Sequence, residues 1–61
     1  MKVNNVSENA IRNPDKYPWM VVRLVDSEWW YYGAWRKMED AAGVAACVGG
    51  CVVPTNEVKG Y

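Results

Sequence analysis

From Trp19 the chain becomes apolar and β-branched, and Trp19-Met20-Val21-Val22-Arg23-Leu24-Val25 has the composition of a strand. The polar pair Asp26-Ser27 interrupts it, and Glu28 to Arg36 (EWWYYGAWR) resumes with large rings. This pattern predicts an antiparallel hairpin. The period then changes: Met38, Ala41, Ala45 and Val48 fall at helical spacing, with Ala42 and Val44 widening the stripe. Glu39 and Asp40 occupy the first turn, where the helix dipole favours negative charge. Gly49-Gly50 supplies the stop, and Cys51-Val52-Val53 follows as a short third strand halted at Pro54.

The predicted order, strand-strand-helix-strand over residues 19–54, is that of a single small α+β domain. Its sheet is three-stranded and mostly antiparallel, with one helix on one face. Two positions are open for the third strand, parallel to the first or antiparallel beside the second. Residues 1–18 show no hydrophobic period and carry Pro14 and Pro18. Two readings stand for this arm: flexible, or folded back over the sheet with Val3, Val6 and Ile11 as apolar handles. Ser7 to Arg12 has the makings of one helical turn with Ser7 as N-cap. Residues 55–61 read as a loose tail.

Strand residues alternate between faces. Met20, Val22 and Leu24 share one, and Trp19, Val21, Arg23 and Val25 the other. Burying Arg23 under an alanine-rich helix is costly, so the even-numbered set is expected beneath the helix. A two-residue turn then pairs Leu24 with Trp29, Arg23 with Trp30, Val22 with Tyr31 and Val21 with Tyr32, sending Trp29, Tyr31 and Gly33 inward. Trp19, Val21, Arg23, Trp30 and Tyr32 form the expected uncovered, partner-binding face. A three-residue turn would exchange the second strand's sets and move the site to Trp29, Tyr31 and Trp35.

Composition sharpens this picture. All eight aromatics are Trp or Tyr, with no Phe, and these types tolerate partial exposure and are enriched, with Arg, at binding hot spots. Seven basic residues balance seven acidic ones, so the basic excess that favours nonspecific nucleic-acid or membrane-surface binding is missing. No apolar run approaches the roughly 20 residues of a membrane span. The opening MKVNNVSENA lacks a signal-type apolar core, so a cytoplasmic protein is expected.

Catalysis finds little support. There is no histidine, and Asp26 and Glu28 flank a turn rather than a cleft. Cys47 and Cys51 (CVGGC) lack further ligands for a zinc site and read as two free thiols serving as small hydrophobes. Neither a cofactor nor a metal is expected.

The run from Trp19 to Val53, with its Trp-rich hairpin, KMEDAAGVA and GGCVV, resembles the short accessory proteins that tailed phages use to disable host machinery. It is similar in element order to the phage early proteins that inhibit host RNA polymerase. Those proteins use basic residues of the last strand for contact, whereas CVVPTNEV has no arginine, so no functional residue carries over. The resemblance implies a noncatalytic, stoichiometric inhibitor or modulator of a host protein, in the transcription or defence machinery. The alternative is a homodimer or a single-stranded nucleic-acid binder that uses the same aromatic face.

Overall fold

The computed structural model describes residues 1–60. In chain order the elements are β1 (Lys2–Val3), α1 (Glu8–Arg12), β2 (Trp19–Val25), β3 (Glu28–Trp35), α2 (Met38–Val48), β4 (Cys51–Pro54), a 3-10 turn (Thr55–Glu57) and β5 (Lys59–Gly60). The principal sheet is antiparallel throughout, in the order β3-β2-β4. With α2 on one face it is the expected small α+β domain. A second, two-stranded parallel sheet joins β1 to β5. It meets the principal sheet at a bridge between Asn4 and Trp30.

The hairpin turn has two residues, Asp26 at φ 50° and Ser27 at φ 67°. Two successive left-handed residues give the turn a twist that matches the flanking strands, without the usual glycine. The turn sets the expected pairs Leu24 with Trp29, Arg23 with Trp30 and Val22 with Tyr31. The next pair is Val21 with Gly33, so Tyr32 is an extra residue in a β-bulge. The expected pairing of Val21 with Tyr32 is therefore wrong. The bulge also shifts alternation by one, and Ala34, not Gly33, joins Met20 and Val22 on their face.

β4 lies antiparallel beside β2, with Trp19 opposite Pro54 and Val22 opposite Cys51. This is neither of the two expected placements. Its cause is visible at Gly50, where an added Cβ would stand 2.7 Å from the Val22 carbonyl oxygen. Only a glycine lets the chain leave α2 so close to β2. The helix ends as expected, with Gly49 left-handed at φ 69° and the Gly50 N–H donating to the Ala45 carbonyl at 2.8 Å.

The faces are the reverse of the expectation. α2 lays Ala41 and Ala45 on Val21, flanked by Trp19 and Trp35, so the odd-numbered face of β2 is the helix face. The reasoning from Arg23 failed because the helix is short. Its 11 residues, at about 1.5 Å each, span roughly 16 Å and end before Arg23, which stays exposed on the helix side. Met38 and Ala42, assigned to the apolar stripe, are exposed as well.

The even-numbered face is covered by the two ends of the chain. Val3, Ala10 and Val58 are buried with Met20 and Val22, and Val6, Trp29, Tyr31 and Val53 pack around them. The arm thus takes the fold-back reading. Ser7 is in the N-cap position of α1 but makes no side-chain cap.

The loose tail expected over 55–61 needs correction for its described residues. Thr55 is buried, its hydroxyl donates to the Tyr17 carbonyl, and its N–H donates to the Pro18 carbonyl at 2.9 Å. Lys59 N–H donates to the Met1 carbonyl at 2.8 Å. Tyr61 lies outside the described residues. Buried Val58 supplies the physical reason for order, since one apolar side chain placed over the sheet anchors a segment that is otherwise polar.

Candidate interaction surface

Five residues were expected to form the partner-binding face: Trp19, Val21, Arg23, Trp30 and Tyr32. The structure divides them. Val21 is fully buried under Ala41 and Ala45, and Trp19 is half-buried against the same cluster. Arg23, Trp30 and Tyr32 remain exposed, Trp30 at 41% and Tyr32 at 47%. Arg23 and Trp30 lie on the end of the helix face beyond α2, and Tyr32 stands at the edge of the helix.

β3 alternates accordingly. Trp29 and Tyr31 pack into the arm-covered cluster, while Trp30 and Tyr32 are exposed. Trp30 stands directly across from Arg23, the closest relationship between side chains of neighbouring antiparallel strands. The bulge supports this division, because it keeps Tyr31 on the covered face and still leaves Tyr32 on the helix side. Gly33 makes room for Trp35, whose ring edge would lie 2.6 Å from an added Cβ. The indole therefore folds over the strand backbone towards the helix.

The hairpin end adds residues that the sequence reading placed elsewhere or left out. Leu24, expected beneath the helix, is 58% exposed, and Val25 is 43% exposed. Each belongs to a different face, yet both project beyond the layers that cover their faces. The signal was the position of these residues just before the turn, where neither layer has to extend.

Between β3 and α2 runs a groove of about 700 Å³, whose lining includes Tyr32, Trp35, Glu39, Asp40, Gly43 and Val44. It is continuous with the exposed aromatic end through Tyr32. The other face has one titratable group of note, Tyr31. Burial raises its phenol pKa above the ordinary 10.0, a side-chain hydrogen bond with Ser7 works against the rise, and Tyr17 adds to it. Cys47 and Cys51 are free thiols, and both are exposed rather than packed as small hydrophobes. Among the described residues no three His, Cys, Asp or Glu side chains group to hold a metal ion, and no helix is long and apolar enough to cross a membrane.

No protein-family model matches the chain, and no curated protein or solved structure matches it either.

Proposed function

We propose that this chain is a noncatalytic protein-binding module, acting by occupying a site on a larger protein. The observation that carries the reading is the uncovered end of the helix face, where Trp30 and Tyr32 are more than two-fifths exposed beside Arg23. Exposed apolar area of this kind on a small domain marks an interaction site. Trp, Tyr and Arg are also the residue types that dominate measured binding energy. A ring held out of the core by strand alternation, next to one held in it, presents area to a partner at little ordering cost. The stoichiometric role on a host protein, of the kind phage accessory proteins play, follows from the similarity in element order.

The test is capture from a bacterial host lysate with three baits: the native chain, Trp30→Ala and Tyr32→Ala. Each bait is first shown to melt like the native protein. A partner retained in near-equimolar amount by the native chain, and lost from both variants, supports the reading. Equal retention by all three removes this face as the binding site.

A further inference from the structure

We infer that the groove between β3 and α2 receives a basic segment of a partner protein, seating a lysine or arginine side chain between aromatic rings and carboxylates. The inference rests on the protein-binding reading and names the chemistry of the occupant. The strand wall of the groove carries Tyr32 and Trp35, and the helix wall carries Glu39 and Asp40. Aromatic ring faces attract cations through the ring quadrupole, and the carboxylates add direct charge attraction. The two carboxylates take part in no ion pair among the described residues, where the salt bridge present is Arg12 with Glu8. Their charge is thus available to a ligand.

The chain's own cations do not fill the site. Lys37 lines an adjoining depression with Met38, Glu39 and Ala42, so the two depressions share Glu39, but neither Lys37 nor Arg36 lines the groove itself. Val44 and Val48 continue the groove along the helix as an apolar strip. Its occupant should therefore carry an apolar residue beside the basic one. At Gly43 nothing lies within 4 Å of an added Cβ, so the helix wall is open where a side chain would otherwise intrude. The groove has Trp35 and the two carboxylates towards the start of α2, and Tyr32 with Val48 towards its end, and it is complementary to a basic, amphipathic peptide rather than an acidic one.

The test is titration of the 15N-labelled full chain with two synthetic octapeptides, (Lys-Leu)4 and (Glu-Leu)4, followed by amide and indole shifts. With (Lys-Leu)4, saturable shifts are expected at the Trp35 indole and at Glu39, Asp40 and Gly43, weakening as salt is added. With (Glu-Leu)4, none are expected. The double variant E39Q/D40N should bind at least tenfold more weakly. Gly43→Leu, which fills the groove from an open helix position, should do the same while melting no lower than the native chain. Shifts scattered over the surface, equal binding of the acidic peptide, or native affinity in either variant would overturn the inference. A lysate partner that is lost on Trp30→Ala but retained by E39Q/D40N and Gly43→Leu would leave the proposed function standing and remove the groove from it.

Discussion

On one face of the sheet an 11-residue helix lays two alanines on Val21. On the other, the two ends of the chain meet as β1 and β5 and bury Val3 and Val58 over Met20 and Val22. The helix is one local element that packs closely through small residues. Its length limits what it covers, and it leaves Arg23, Trp30 and Tyr32 in solvent. The ends are short pieces drawn from opposite termini, yet they cover more, reaching Trp29 and Tyr31 along the hairpin. In EWWYYGAW, therefore, a ring is structural or free according to how far the cover on its face extends. The rings themselves have the same chemistry on both sides.

The largest effect expected is from Ala45→Glu. It places an unpaired carboxylate in the 5%-exposed centre of the helix contact, a burial that costs several kcal/mol by any reasonable scale. A domain of this size has only roughly 3–5 kcal/mol to spare, so circular dichroism should show an unfolded chain. Met20→Ala strikes the opposite face, where the side chain is fully buried, and should cost about 2–5 kcal/mol in denaturant melts. Truncation after Pro54 sharpens the comparison further. It removes Val58 and the β5 pairing and should lower the melt, and a melt like the native one would show that the C-terminal part of the second layer contributes nothing.

Smaller effects separate the remaining positions. Gly43→Ala, in open space on α2, should raise stability by about 0.4–1 kcal/mol, since it restricts the unfolded chain without a clash. Gly33→Ala should instead lower it, because the new methyl meets the Trp35 ring. The pair checks the register of helix and bulge in one set of melts. The smallest effect is in pH. The Tyr31 phenol has its pKa raised on folding above 10.0, so its contribution is fully present below that value and is lost as pH rises through the folded pKa. A pH series of melts should be flat in this respect through neutrality and fall in strong alkali, and Tyr31→Phe should reduce that fall.

The helix was legible, because its period, first-turn acids and glycine stop all point the same way, and Met38–Val48 forms, with Met38 and Ala42 of the stripe left exposed. The hairpin was legible from its two apolar and aromatic runs about Asp26-Ser27, whereas the length of the turn, two residues or three, stayed open in the sequence. The bulge at Tyr32 was not legible. An extra residue in a run of rings leaves no mark on a pattern that is apolar on both faces. The choice of face turned on Arg23, whose charge was correctly kept out of the core. The sequence does not state that a strand outruns its helix. Val3, Ala10 and Val58 gave no period because each is a lone contact from a separate segment. Of the candidate site, Arg23, Trp30 and Tyr32 were placed correctly in solvent. Val21 was misplaced through the inverted faces.

The central claim is that alternate rings of one strand do separate work, with Tyr31 holding the fold and Trp30 and Tyr32 meeting a partner. The most direct measurement is partner capture by the Trp30→Ala/Tyr32→Ala double variant, quantified against the native chain under conditions where both are folded. The result expected is a variant that stays folded and loses capture by a factor of thirty or more, on the order of 2 kcal/mol at a hot spot. A folded variant that captures the same partner as strongly as the native chain would contradict the claim.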